Sequence, residues 1–139
     1  MIIEHVAIWC RDIEKMKDFY MKYFGFTTVD PYYNPETGLT LYFLGRGEGK
    51  TQLELMHKAG IPENPVLPGG EQMGISHLAF STNTRQELID LHNRIEADGY
   101  TIILPARECG NGKWFEDCFL DPEGNRIEMS IAPEKMPGY

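Results

Sequence analysis

The hydrophobic positions of this 139-residue chain fall into short strand-like runs and two stretches with helical spacing. Residues 2–9 are rich in β-branched and apolar side chains, which predicts a first strand. Asp12, a residue type that caps helices, then precedes apolar positions that recur three or four residues apart. These positions are Ile13, Met16, Tyr20, Tyr23 and Phe24. Because glycine commonly follows the last turn of a helix, we predict a helix that ends at Gly25.

The second half of the chain shows the same arrangement. Residues 75–80 form another strand-like run, and Thr84 and Glu87 after it have the spacing of a capping box. An apolar helical stripe follows and ends at Gly99; its members are Leu88, Leu91 and Ile95. Three strand-like runs follow each helix: residues 26–31, 39–44 and 51–57, then residues 101–104, 114–120 and 126–131. The predicted fold class is therefore α+β, with two tandem βαβββ modules.

Sequence motifs support this as an internal duplication. Ile3-Glu4-His5-Val6-Ala7-Ile8 aligns with Ile75-Ser76-His77-Leu78-Ala79-Phe80, and Gln52-Leu53-Glu54-Leu55-Met56 aligns with Arg126-Ile127-Glu128-Met129-Ser130. The two histidines are 72 residues apart, and the two glutamates are 74 apart. Motifs that match in both order and spacing are rare by chance, so the two halves of the chain are predicted to share one architecture. The expected boundaries are module one at 1–58, a Pro- and Gly-rich linker at 59–74, module two at 75–132 and a tail at 133–139.

Composition and charge exclude several classes of function. The net charge of −8 argues against nucleic-acid binding, which needs clustered Lys and Arg. No apolar run approaches the roughly 18 residues of a membrane span, and the N-terminus lacks the features of a signal peptide. Three widely spaced cysteines form neither a disulfide framework nor a CxxC metal site, so we expect a reduced, cytoplasmic setting.

The repeated His and Glu are unusual inside apolar strands. An unpaired carboxylate is costly to bury, so a buried Glu54 or Glu128 needs a partner. The alternative is that both glutamates lie on the solvent face of an antiparallel sheet. If they converge, two imidazoles and two carboxylates suit a divalent ion such as Zn, Ni, Co, Mn or Fe. The four candidate metal ligands are His5, Glu54, His77 and Glu128.

These motifs resemble the vicinal oxygen chelate superfamily over nearly the whole chain. The most specific likeness is the Asp121-Pro122-Glu123-Gly124-Asn125-Arg126-Ile127-Glu128 turn and strand. Further likenesses are Glu4-His5-Val6-Ala7, Asp18-Phe19-Tyr20, Phe24-Gly25-Phe26, Leu53-Glu54-Leu55 and Ser76-His77-Leu78-Ala79-Phe80. The resemblance implies a half-open β-barrel around one metal site. The four-ligand pattern of this chain is similar to that of glyoxalase I. By the same resemblance, extradiol dioxygenases use two His and one Glu, and epimerases tend to carry Gln at the position of Glu54. Metal-free drug binders of the superfamily lack the ligands.

For glyoxalase I, the resemblance implies isomerisation of a hemithioacetal of methylglyoxal through an enediolate. Glu128 and Glu54 match the carboxylate bases, with the choice between them open. Trp9 and Lys58 stand where glutathione-using members carry Arg and Asn, which weakens the case for glutathione as the thiol. An epimerase, a dioxygenase or a non-catalytic drug-binding resistance protein are the alternatives.

Several other residues are candidates for substrate contact, and others are predicted to have no role in the site. Trp9, Trp114 and Phe115 are expected to bind substrate, although packing is as good an interpretation for Trp9. Residues 109–114 match a flexible loop over the metal or, equally, a simple β-turn. His57 and His92 have no counterpart in the other half and are expected to be solvated. The phosphate-loop-like run at 45–51 has Leu44 where a glycine is required, so it is predicted to be a hairpin turn.

The expected partners are a small-molecule substrate and a second copy of the chain. By resemblance, many short members complete each site between two chains, although a site within one chain is also possible. A homodimer is the expectation, with neither nucleic acid nor membrane as a partner.

Overall fold

The computed structural model describes residues 2–47, 51–110, 112 and 114–131. The chain divides into two units, Met1–Pro65 and Val66–Tyr139. Each unit has one helix and one four-stranded sheet. Across the described residues, neither helix has the length and apolar character to cross a membrane.

Unit 1 has the order strand, helix and three strands. Its elements are β1 (His5–Trp9), α1 (Ile13–Phe24), β2 (Tyr32–Asn34), β3 (Leu39–Leu44) and β4 (Gln52–His57). The sheet order is β1-β4-β3-β2. The first and last strands, β1 and β4, pair in parallel, while the other neighbours pair antiparallel.

Unit 2 repeats this topology. Its elements are β5 (Leu78–Ser81), α2 (Arg85–Ala97), β6 (Ile102–Cys109), β7 (Trp114–Leu120) and β8 (Arg126–Ile131). The sheet order is β5-β8-β7-β6, again with a parallel pair between first and last strands. The predicted α+β class with two tandem βαβββ modules is confirmed.

The helices begin and end where the sequence predicts. The Asp12 side chain accepts a hydrogen bond from the backbone N–H of Lys15 at 3.0 Å, and Gly25 follows α1 with a φ of 64°. Thr84 and Glu87 form the predicted capping box at the start of α2. Each helix packs on one face of its own sheet: α1 on β3 and β4, and α2 on β6, β7 and β8. The opposite face of each sheet carries the repeated His and Glu.

The strand predicted at residues 26–31 is wrong. There the structure has only an isolated bridge between Thr27 and Gly45, and β2 begins at Tyr32. Pro31 has no N–H to donate to a ladder, and Val29 is 82% exposed, so this run has neither the bonds nor the burial of a strand. Conversely, β6 extends to Cys109, well past the predicted residues 101–104, because Pro105 is tolerated in an edge strand.

A buried pair links α2 to β7. The prediction that His92 is solvated is wrong, because His92 is buried and its Nδ1 lies 2.9 Å from Oδ2 of Asp117. Asp117 is fully buried, and its Oδ1 has no hydrogen-bond partner among the described residues. Burial raises the pKa of Asp117 from 3.8 to about 6, and the hydrogen bond from His92 opposes this rise only in part.

We predict that Asp117 lowers stability as pH rises. The folded pKa of about 6 lies above the unfolded value of 3.8, so folded protein binds the extra proton between these values. The contribution to the free energy of unfolding is therefore full below pH 3.8 and is lost as pH rises through about 6, by about 3 kcal/mol. Denaturant unfolding across this range should show the decline in the native protein and not in Asp117→Asn.

The exposed Asp90 of the same helix supplies the matched control. Asp90→Asn should keep the pH dependence of the native protein, since Asp90 is solvated. An unchanged dependence in Asp117→Asn would contradict the assignment of this decline to the buried carboxyl.

Candidate metal centre

The parallel pairing of first and last strands brings a histidine to a glutamate in each unit. In unit 1, Ala7 of β1 is opposite Glu54 of β4, and His5 lies two residues earlier on the same face. His5 Nε2 is 3.4 Å from Glu54 Oε2. The two residues are 49 positions apart in the sequence, so only this strand pairing makes them neighbours.

Unit 2 has the same register and the same separation. Ala79 of β5 is opposite Glu128 of β8, and His77 precedes Ala79 by two residues. His77 Nε2 is 3.4 Å from Glu128 Oε2. We call each His–Glu pair a half-site. The structure thus brings together each predicted ligand pair within its own unit.

Each half-site also has a partner for the other imidazole nitrogen. The carboxylate of Glu4 lies against His5 Nδ1, and Ser76 Oγ lies 3.2 Å from His77 Nδ1. The hydrogen bond to Glu4 raises the pKa of His5 above 6.5. In both units the histidine Nδ1 has a polar partner and Nε2 faces the glutamate. Metal-binding histidines are commonly oriented in this way, by a hydrogen bond at the nitrogen that does not bind the metal.

The donor atoms fit a divalent ion. Two ligand atoms about 2.1 Å from one tetrahedral ion lie about 3.4 Å apart, and the Nε2–Oε2 separations match that edge. Imidazole nitrogen and carboxylate oxygen are donors that zinc and its neighbours accept. In the parts of the chain that the structure describes, no three His, Cys, Asp or Glu side chains form a metal-binding group. Each unit by itself therefore offers two donors.

The burial of Glu54 shows why it needs a partner. Its side chain is only 11% exposed, between Leu53 and Leu55 of the same strand, whereas that of Glu128 is 29% exposed. The solvent-face alternative thus does not describe Glu54. A carboxylate with so little contact with water needs a nearby positive charge, a role that a bound divalent ion or a protonated His5 ring can fill.

The surroundings of the half-sites differ between the units. On the His5 face of unit 1 lie Trp9 and Phe43, and Phe43 pairs in register with Glu54. The corresponding partner of Glu128 is Cys118, whose thiol pKa is raised by burial. The face in unit 1 is therefore aromatic beside its glutamate, while the face in unit 2 carries a protonated thiol at that position.

The three predicted substrate contacts lie in different settings. Trp9 is 45% exposed and shares the face of His5. Trp114 begins β7 and lies on the Glu128 side of its sheet. Phe115 points to the opposite side, where the Arg85 guanidinium at the start of α2 lies 4.4 Å from its ring centre. Strand alternation places Trp114, and not Phe115, on the same face of the sheet as Glu128.

Gly110 and Gly112, the described residues between β6 and β7, lie in a turn. The backbone N–H of Gly112 donates to the Cys109 carbonyl at 3.1 Å, and Cys109 pairs with Trp114 across the hairpin. Gly110 has a φ of 57°, and the Trp114 ring occupies the space that a Cβ at this position would need. Asn111 and Lys113, which belong to the predicted loop, lie outside the described residues.

Sequence reasoning missed two residues of unit 1. The sequence places Glu4 in a motif without predicting a role for it, and it predicts Phe43 only as a strand residue. Phe43 meets the His5 ring edge-on, with ring centres 5.7 Å apart and planes at 76°. Only the register between β3 and β4 shows that Phe43 lies beside Glu54. The sequence does contain a signal for Glu4, because its carboxylate directly precedes a candidate ligand histidine.

Comparisons with known proteins agree with this architecture. A family model described as Glyoxalase/Bleomycin resistance protein/Dioxygenase superfamily matches residues 2–129. The uncharacterized protein YwkD of Bacillus subtilis is 33% identical over 130 residues, covering 91% of this chain and 94% of that protein. The mitochondrial methylmalonyl-CoA epimerase of Dictyostelium discoideum is 28% identical over 139 residues, covering 96% and 78% respectively. The crystal structure of a glyoxalase family protein from Enterococcus faecalis has a TM-score of 0.72 at 27% identity, covering 93% of this chain and 96% of that one.

We predict that Gly110→Ala displaces Trp114. A Cβ at residue 110 would lie 1.9 Å from the Trp114 ring, so the ring must move, in addition to the strain of a positive φ. In a Trp9→Phe background Trp114 is the sole tryptophan, so its fluorescence reports the change directly.

Gly38 provides a control for the backbone term alone. Its φ is 70°, and a Cβ there meets nothing within 4 Å. Gly38→Ala should cost about 1–2 kcal/mol of stability from strain, leave the emission unchanged and cost less than Gly110→Ala. Equal losses with unchanged emission would contradict the contact between Gly110 and Trp114.

Proposed function

Because this chain belongs to the Glyoxalase/Bleomycin resistance protein/Dioxygenase superfamily, we propose that it is a metal-dependent lyase or isomerase of the glyoxalase I type. Its substrate is the adduct of a 2-oxoaldehyde such as methylglyoxal with a thiol. The observation that carries the proposal is the duplicated half-site, with the same register and the same 3.4 Å separation in both units. The proposed ligands of one divalent ion, zinc or nickel, are His5, Glu54, His77 and Glu128.

The proposed chemistry is a proton transfer between neighbouring carbons. When bound, the divalent ion supplies a Lewis acid that makes the C–H bond beside a carbonyl more acidic. A carboxylate of the chain, Glu54 or Glu128, takes that proton and returns it to the adjacent carbon, passing through an enediolate. Atoms balance within the substrate, because the proton that leaves one carbon arrives at the next.

The chain favours a thiol other than glutathione. Trp9 stands where the resemblance places an Arg in glutathione-using members, and it lies on the face of the unit 1 half-site. Phe43 adds a second aromatic ring beside the same glutamate. An apolar wall of this kind suits a thiol arm with less charge than glutathione. Trp9 and Trp114 are the proposed substrate contacts, and the protein is proposed to work as a homodimer.

A second candidate is an epimerase. The epimerase of Dictyostelium discoideum covers 96% of this chain at 28% identity, and epimerisation beside a carbonyl needs the same exchange of one proton. The resemblance noted above gives epimerases Gln in place of Glu54. The presence of Glu54 in a buried position therefore favours the first candidate.

The test combines metal analysis with turnover. Purified protein should contain a divalent ion in stoichiometric amount, and with zinc or nickel added it should convert methylglyoxal with a panel of thiols. Whichever of Glu54→Gln and Glu128→Gln removes the base should lower kcat by about 10²–10⁴-fold. The other variant replaces a charged ligand by a neutral one and should lower kcat by less. Glu36→Gln, at an exposed turn position of unit 1, is the matched control and should keep full activity.

Three other results would each contradict part of the proposed function. Turnover of a 2-methyl-branched acyl-CoA without turnover of any thiol adduct would replace it by the epimerase. Full activity in Glu54→Gln would contradict any role of Glu54 as base or required ligand and would leave Glu128 as the base. Protein that binds no ion at all would make the chain a small-molecule binder and contradict the metal site.

A further inference from the structure

His5 is held from more sides than its counterpart His77. The carboxylate of Glu4 lies against its Nδ1, and the Phe43 ring meets its plane edge-on at 5.7 Å. His77 has the hydroxyl of Ser76 at 3.2 Å from Nδ1. The residue opposite its glutamate is Cys118, which has no ring. The two half-sites therefore have the same His–Glu pair but differ in the residues that contact the histidine and lie beside the glutamate.

Glu4 reaches His5 from a fixed backbone position. Its carbonyl accepts a hydrogen bond from the Gln52 N–H at 2.9 Å, and the preceding Ile3 carbonyl accepts one from Thr51 Oγ1 at 2.7 Å. Both bonds tie the chain before β1 to the start of β4, the strand that carries Glu54. Although the Glu4 side chain is 71% exposed, its backbone is therefore held in place.

The chemistry of the two partners differs in kind. An ionised carboxylate can only accept a hydrogen bond. Both ring nitrogens of His5 face a carboxylate, but Glu4 is in hydrogen-bond contact with Nδ1, whereas Glu54 lies 3.4 Å from Nε2. The single N–H of a neutral ring is therefore held at Nδ1, and the lone pair of Nε2 is left for a metal. A serine hydroxyl can donate or accept and so fixes neither tautomer. A carboxylate behind a ligand histidine also orients the ring and strengthens its donation to the ion.

We propose that Glu4 is a positioning residue that fixes the tautomer and ring orientation of His5 and makes unit 1 the stronger half of the metal site. The inference rests on the proposed function, because it takes His5 as a ligand. Phe43 supports the same orientation through the ring, and Ser76 is the weaker counterpart of Glu4 in unit 2.

The first test needs no metal. In the metal-free protein, ¹⁵N–¹H correlation spectra of neutral imidazoles report which nitrogen carries the proton. His5 should be protonated at Nδ1 in the native protein and should lose that preference in Glu4→Ala, while His77 keeps its spectrum. Glu4→Gln, whose amide oxygen can still accept, should retain part of the preference.

The second test measures metal affinity by competition with a chromophoric chelator, using zinc and cobalt. Glu4→Ala should weaken binding about 10- to 100-fold, Glu4→Gln by less, and Ser76→Ala by less than Glu4→Ala. Glu36→Ala removes one negative charge from unit 1 at an exposed turn and should leave the affinity unchanged.

The outcomes separate this inference from the proposed function. Glu4→Ala protein that keeps both the native tautomer and the native affinity would overturn the role of Glu4 while leaving the metal site intact. If Glu4→Ala loses no more metal affinity than Glu36→Ala, the effect of Glu4 is a general effect of charge. That result would also overturn the positioning role of Glu4. If native protein binds no ion, the proposed function fails, and the tautomer of His5 still decides whether Glu4 positions it.

Discussion

The parallel pairing between the first and last strands of each unit is the constraint on which the candidate site depends. It sets Ala7 opposite Glu54 and Ala79 opposite Glu128. A slip of one residue would turn each glutamate to the helix-covered face of its sheet and separate it from its histidine. That slip is resisted by the apolar residues on the other face, which include the fully buried Leu55 and Ile127. Burial under the helix therefore fixes the geometry of the polar face.

The two units have kept this register while their other polar contacts have diverged. In unit 1, buried Tyr42 of the central strand donates a hydrogen bond to Glu14 of α1 at 2.8 Å. At the equivalent register position in unit 2, Asp117 pairs with His92 of α2. Each central strand thus sends one polar side chain to its helix, but the pair in unit 2 puts a carboxylate where burial opposes its charge. A duplicated frame with unequal neighbours is what allows one half-site to be better organised than the other.

Much of the fold could be predicted because its signals are local. Asp12, Thr84 and Gly25 mark helix ends through their own side chains or backbone freedom. The repeated His and Glu were found from spacing alone, and the structure places each pair together within its unit. Residues 26–31 failed because apolar composition does not show whether a neighbouring strand is available to pair with them.

Other features depended on contacts that no local pattern reveals. His92 has no repeat partner, and its burial follows from Asp117 on a strand that is 25 residues away. Whether Trp114 or Phe115 faces the half-site depends on the register between β7 and β8, which the sequence of one strand does not contain. The position of Phe43 beside the half-site likewise follows from its pairing with Glu54 across two strands.

X-ray absorption spectroscopy of nickel- or zinc-loaded protein counts the donors around the bound ion and so tests whether the two half-sites share it. A shared site would give two imidazoles per ion, with only nitrogen and oxygen in the first coordination sphere. One imidazole per ion, with two ions bound per chain, would show that the half-sites act separately and would contradict it. A sulfur neighbour would also contradict it, because it would bring a cysteine thiolate into the site in place of the paired carboxylates.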